Sequence, residues 1–221
     1  MAIAAFAWPL LVEAGGLAVT VAGRLHLTAD GRAALERPPH QTLRALWESW
    51  LVLGGIDEFT RVDGLKGQQA AGGRNLTAVA PRRLAVARAL AGCPTDGWIL
   101  AEDFLRHMRV ERHTFAVVHN PTLLHIGKAV HKTRLEGYDD DDVWLVVQGR
   151  YALCLLLEYA APLGLIDVAY GEPGRARDDY HGLWGSGLVD SLSRYDGLGA
   201  ISVTALGAYC LGEAAAYAGP G

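Results

Sequence analysis

The sequence predicts an α+β fold, mainly helical, in which short antiparallel hairpins follow one helix and lead into the next. The first observation behind this is a repeated junction: Leu25-His26-Leu27-Thr28-Ala29-Asp30-Gly31 and Ile201-Ser202-Val203-Thr204-Ala205-Leu206-Gly207 both run from alternating residues through a Thr into a helix-like stretch. Alternation fits a half-buried strand, a Thr hydroxyl can cap the free N–H groups of the next turn, and the glycine permits close backbone packing. The second is order, since each junction follows an earlier strand and, before it, a helical run. The third is composition: 221 residues with 51% hydrophobic and 20% charged content are ordinary for a soluble globular protein of one large or two small domains.

Taken from the start, residues 2–14 read as a helix with Trp8, Leu11 and Val12 on its apolar side, despite Pro9, and Gly15-Gly16 ends it. Residues 17–21 and 25–27 alternate around Ala22-Gly23 as a hairpin, and Thr28 opens a helix to about Glu36. Pro38-Pro39 then marks a boundary, and Leu43, Leu46, Trp47, Trp50 and Leu51 recur at helical spacing over residues 41–53. That gives an N-terminal unit over residues 1–53. Residues 54–80, rich in Gly and polar side chains between Gly54 and Gly73, read as a flexible linker.

The second unit spans residues 81–221. Pro81 suits a first helical turn, and Leu84, Val86, Ala87, Ala89 and Leu90 give that helix a buried side before Gly92-Cys93-Pro94 stops it. Trp98-Ile99 is extended, and residues 101–108 form a helix with Phe104, Leu105 and Met108 inward and Glu102 and Asp103 in its first turn. Residues 149–163 form the most apolar helix of the chain. Residues 163–170 and 200–203 supply two strands, joined by a Gly-rich connection over 171–199 that is far longer than an ordinary hairpin loop.

Charge is unevenly distributed. The chain as a whole carries a net charge of −4, which argues against bulk electrostatic binding to nucleic acid, yet residues 61–113 hold nine Lys or Arg against five Asp or Glu. Residues 136–196 hold four basic and twelve acidic residues. Arg82, Arg83 and Arg88 on one helix and Arg106, Arg109 and Arg112 at the end of the next form the main basic concentration. Arg175, Arg177, His181, Trp184, Arg194 and Tyr195 are the candidate contact residues of the long connection. Phosphate contact and compensation of the helix dipole both account for Arg106, Arg109 and Arg112, and Arg194 has Asp196 within pairing reach.

Other chemistry finds little support. His113, His119, His125 and His131 recur every six residues, a spacing that rotates successive side chains away from one helical face, and no Cys-x-x-Cys or His-Glu-x-x-His pattern occurs. Asp139 to Asp142 lacks the alternating oxygen ligands of a calcium loop. No phosphate-cradling Gly-rich loop and no Gly-x-Ser-x-Gly elbow is present, so neither a catalytic residue, a metal site nor a cofactor is expected. Cys93, Cys154 and Cys210 read as reduced thiols in a cytoplasmic protein, and no membrane span or signal peptide is expected.

Residues 98–108, 163–170 and 201–211, with the earlier copy at 25–35, resemble the winged-helix segments of bacterial helicase-associated proteins and of DNA-dependent regulators. The resemblance implies two winged-helix units with short hairpin wings, the first of them lacking its opening pair of helices. It also implies a non-enzymatic nucleic-acid-binding module, with DNA as the expected nucleic acid. In the alternative reading the winged helices are docking surfaces of a subunit in a larger complex, and a protein partner or self-association is expected. Residues 149–163, which hold the place of the recognition helix, depart from the family by being mostly apolar with Arg150 the one basic residue. If other protein surface does not complete residues 1–36, Phe6, Trp8, Leu10 and Leu11 stand in water, and residues 41–53 are the nearest candidate cover within the chain.

Overall fold

A computed structural model describes residues 3–53, 55–70, 73–127, 133–135, 139–183 and 185–219. The chain opens with helix α1 (Ile3–Ala14), the hairpin β1 (Ala18–Val21) and β2 (Arg24–Leu27), and the short helix α2 (Ala29–Ala34). Helix α3 (Pro39–Val52) starts on Pro39, where a missing N–H costs nothing, and buries Leu46, Trp47, Trp50 and Leu51. Three short strands follow, β3 (Leu65–Lys66), β4 (Gln69–Ala70) and β5 (Gly73–Arg74). Then come α4 (Val79–Ala91), β6 (Ile99–Leu100) and α5 (Ala101–Val110). Two strands, β7 (His125–Ile126) and β8 (Thr133–Arg134), precede the long helix α6 (Asp140–Ala160), and β9 (Ile166–Tyr170), β10 (Leu198–Val203) and α7 (Ala205–Leu211) close the fold.

The α+β, mainly helical expectation holds. Both expected hairpins are antiparallel: Ala18 faces Leu27 through to Val21 facing Arg24, and Ile166 faces Val203 through to Leu198 facing Tyr170, with an irregularity between Leu198 and Ala200. β10 is the middle strand of a three-stranded sheet, because β6 pairs on its other edge through Ile99 to Ile201 and Leu100 to Ala200. A second sheet has the order β3-β7-β8, and β4 and β5 form a separate pair.

α6 is longer than the helix expected over residues 149–163. It begins at Asp140, with the Asp139 side chain accepting from Asp141 N, so the aspartates are an N-terminal cap rather than a loop. Two π-helical turns, Leu145–Gly149 and Leu156–Ala160, interrupt its regular ladder. Its length and apolarity would suit a membrane span, but most of its surface is spent inside the fold: every residue from Gly149 to Ala160 is buried.

Residues 54–80 are not a free linker. Asp57, Glu58, Phe59, Val62, Leu65, Asn75 and Leu76 are all buried, and the apolar ones join the same core as α3, α4, α5 and α6. The reason lies on α4, where two adjacent buried arginines need carboxylates, and Asp57 and Glu58 supply them. α3 packs on α1, α4 and α7, so the N-terminal segments and the later ones share one core. Trp50 stacks on Tyr159 of α6 with ring centroids 4.2 Å apart.

Candidate functional site

The two Thr junctions are built with the same bonds. Thr28 Oγ1 donates to Gly16 O at 2.7 Å and accepts from Gly31 N at 3.0 Å; Thr204 Oγ1 donates to Gly164 O at 2.7 Å and accepts from Gly207 N at 2.9 Å. Thr28 N donates to Leu17 O and Thr204 N to Leu165 O, at 3.0 and 3.1 Å. Gly16 and Gly164 both turn the chain at positive φ, +69° and +76°, after the preceding helix. A Cβ on Gly31 would sit 1.9 Å from Leu17 O, and one on Gly207 2.0 Å from Leu165 O, so each glycine is required by the same close approach. Aligning Thr28 with Thr204 makes Arg24, Leu25 and Leu27 equivalent to Ala200, Ile201 and Val203, and aligning Gly16 with Gly164 makes Ala18 and Thr20 equivalent to Ile166 and Val168.

The copies differ in what covers them. In the second, Ile201, Val203 and Ile166 are at most 2% exposed, covered on the α5 side of the sheet, and β6 closes the β10 edge. In the first, Ala18, the equivalent of Ile166, is also buried, but Leu25 is 47% and Leu27 51% exposed, and among the described residues β2 has no strand partner except β1. Val19 and Val21 on the opposite face are also about half exposed. α1 is covered in part by α3 and the end of α6: Ala7 and Leu11 are fully buried, and Gly15 fits so closely that a Cβ there would meet Leu46 Cδ2 at 2.4 Å. Trp8, expected on the covered side, is instead 36% exposed, while Phe6 and Leu10 are partly buried. The larger uncovered part of the N-terminal unit is therefore the hairpin, with Trp8 of α1 exposed as well.

The basic residues fall into three groups. Arg82 and Arg83, expected as phosphate contacts, are fully buried. Arg82 grips Asp57 with two bonds of 2.9 and 2.6 Å, while Arg83 donates to Glu58 at 2.6 Å and to the carbonyls of Trp50, Leu53 and Ile56. Charged groups so enclosed are not available to a ligand phosphate in this fold, which corrects that expectation. Arg88, Arg106 and Arg112 are exposed and Arg109 is half-buried; Arg106 pairs with Asp103 and Arg109 with Asp141. Arg177 is 8% exposed, with Nη2 donating to Leu198 O, and burial followed by the nearby Arg150 lowers its pKa. It therefore does not stand on the surface as a wing contact would. The side chain of Arg175 and all of Trp184 lie outside the described residues. Arg194 is exposed, but its neighbours Tyr195 and Asp196 are buried, and Asp196 pairs with Arg150 at 3.2 Å and forms a capping box with Ser193. The 193–196 stretch is thus a structural element.

Arg106 and Arg109 line two neighbouring cavities. One, of about 280 Å³, also touches Glu102, Arg177 and Asp179; the other, of about 450 Å³, touches Thr114, Asp141 and Trp144. With Asp140, Asp141 and Asp142 exposed at the start of α6, this face carries both signs of charge.

Sequence reading missed the buried polar cluster that ties residues 57–61 to α6. Glu58 accepts from Arg83 and from Tyr151 OH, and burial pushes its carboxyl above the ordinary range. Glu158 accepts from Tyr195 OH at 2.6 Å, from Arg61, and from the Cys154 thiol. Burial raises the Tyr195 hydroxyl and Cys154 thiol pKa values, so both remain protonated donors, and the bonds of the cluster lock residues 57–61 to α6. The only sequence sign was the pairing of Asp57-Glu58 with Arg82-Arg83, two like-ordered charged dipeptides. Among the described residues no group of three or more His, Cys, Asp or Glu gathers as metal ligands, and His131 lies outside them.

No protein-family model, no curated protein sequence and no solved structure matches this chain.

Proposed function

We propose that the chain is a non-enzymatic winged-helix docking module, a subunit whose hairpin faces seat other protein surface. The order α4, β6, α5, α6, β9, β10, with β10 between β6 and β9, supports reading residues 79–211 as one complete winged helix with an enlarged connection between its wing strands. Residues 3–34 repeat its closing elements: a helix, a hairpin and a Thr-capped helix. The observation that carries the docking role is the open Leu25 and Leu27 face, whose equivalents Ile201 and Val203 are buried by the chain's own α5 and β6. Fully burying a Leu contributes about 1.5–3 kcal/mol, so seating these half-exposed residues under a partner would contribute roughly 1 kcal/mol each.

The test is site-specific photo-crosslinking in the cell. A crosslinking residue at position 25 is expected to give one discrete protein adduct that disappears when Leu27→Asp is added, while a crosslinker at the exposed Leu188 gives none. Equal labelling at both positions, or no adduct at position 25, would contradict the proposal.

A nucleic-acid role, with DNA as the ligand, is the second reading. Arg88, Arg106, Arg109 and Arg112 favour it as the members of the α4–α5 basic concentration that are not buried, with Trp144 beside Arg109 to stack a base. Binding of duplex and single-stranded DNA across a salt series decides it: a steep salt slope that flattens in the Arg106→Ala, Arg109→Ala double variant supports it, and no binding at low salt removes it.

A further inference from the structure

We infer that the open edge of β2 takes an antiparallel strand from a partner protein, with apolar side chains over Leu25 and Leu27 and a carboxylate facing Arg24. This rests on the docking reading and adds the mode of binding and the partner's chemistry.

The internal repeat defines what belongs on that edge. In the second copy, the positions equivalent to Arg24 and Leu25 are Ala200 and Ile201, and they pair with Leu100 and Ile99 of β6. β6 runs straight into α5, whose Phe104 and Leu105 are buried in the same core as Ile201 and Val203. A strand followed by apolar side chains is therefore the shape that this junction is built to receive.

The backbone of β2 is set up for the same pairing. Thr28 N bonds to Leu17 O, and the hairpin register matches His26 with Val19 and Arg24 with Val21, so residues 24, 26 and 28 direct their backbone groups to β1. Leu25 lies between them, with its N–H and C=O directed to the open edge. Leu27 O already accepts from Arg32 Nη1 at 3.0 Å, which leaves the Leu25 pair as the docking bonds. An exposed strand edge of this kind is a ready template for an added strand, and backbone bonds give such complexes their affinity.

Charge selects among strands. The ionisable side chains of the hairpin, Arg24 and His26, are both basic, and Arg32 of α2 bonds to its edge. Among the described residues Arg24 has no ion-pair partner, and it is exposed. A carboxylate on the incoming strand, at the place that Leu100 holds opposite Ala200, meets it directly.

The experiment uses the full chain and a labelled synthetic peptide of residues 96–110 carrying Leu100→Glu, followed by fluorescence anisotropy and by amide exchange at Leu25. Saturable binding that slows exchange of the Leu25 amide is expected. Leu25→Pro, which removes the outward N–H at an edge position that tolerates proline, is expected to weaken binding about tenfold. Arg24→Glu is expected to reverse the preference, so that the peptide with Leu100 retained binds better. Absence of binding at millimolar peptide, or binding that neither protects Leu25 nor responds to Leu25→Pro, overturns the strand inference; crosslinking at position 25 then still judges the docking reading on its own. A concentration-dependent dimer that protects Leu25 without peptide would overturn it too, since the occupant would then be a second copy of this chain.

Discussion

The hairpins at the two ends of the chain have matching bonds and opposite surroundings. Thr28 and Thr204 make the same three hydrogen bonds, and Gly31 and Gly207 are pressed against equivalent carbonyls, yet Leu25 is 47% exposed where Ile201 is fully buried. Local sequence therefore suffices to shape the junction, while its cover is a separate matter decided by what else is packed nearby. In the second copy that cover is α5 and β6, in a core that also holds α4 with its paired arginines. In the first copy the chain supplies α3 for part of the helix and buries Ala18 of the hairpin, but leaves Leu25 and Leu27 about half exposed.

The largest expected effect tests how firmly the cover of the second copy is held. Arg83→Ala leaves Glu58 buried without its cation and three carbonyls without their donor, and is expected to lower stability by about 3–5 kcal/mol in urea unfolding. A loss below about 1 kcal/mol would mean that the ion pair is not a lock. Next comes the direct comparison of equivalent sites. Ile201→Ala is expected to cost about 2–5 kcal/mol and Leu25→Ala no more than about 0.5 kcal/mol in the isolated chain, because only the first leaves a cavity. Similar losses at both would show that the first hairpin is covered after all.

Smaller effects sharpen the likeness instead of the difference. Thr28→Val and Thr204→Val each remove one cap and are expected to lower stability by about 1 kcal/mol, with nearly equal values by thermal unfolding. A much larger loss at one Thr would break the equivalence. The thiols probe the closure of the second copy without any substitution. Burial pushes Cys93, at the end of α4, and Cys210, on α7, up to about 11, so alkylation near neutral pH is expected to be slower than that of a free thiol by on the order of a hundredfold. Mass spectrometry showing rapid labelling of Cys210 would place α7 among the mobile parts.

Much of this was legible in the residues. Thr28 and Thr204 with their glycines announce both junctions, and the alternation before them correctly predicts the paired strands, because capping and pleating are local properties. Residues 54–80 look like a linker since Gly and polar residues dominate, but Asp57 and Glu58 are held by two arginines 25 positions away, and such long-range pairing leaves no periodic trace. For the same reason Arg82 and Arg83 look like a phosphate-binding patch: charge is visible in sequence, whereas burial of a charge depends on partners from elsewhere. The sequence predicts an incomplete N-terminal unit with α1 as its open part, whereas α3 covers Ala7 and Leu11 and the exposed apolar residues are mostly those of the hairpin, because cover depends on distant packing.

Amide hydrogen exchange of the isolated chain, at a concentration where light scattering gives the monomer mass, tests the contrast between the two hairpins most directly. The Ile201 amide, on the strand paired with β6, is expected to exchange only with global unfolding, and the Leu25 amide through local fluctuation, faster by orders of magnitude. Equal protection at the two positions would contradict it.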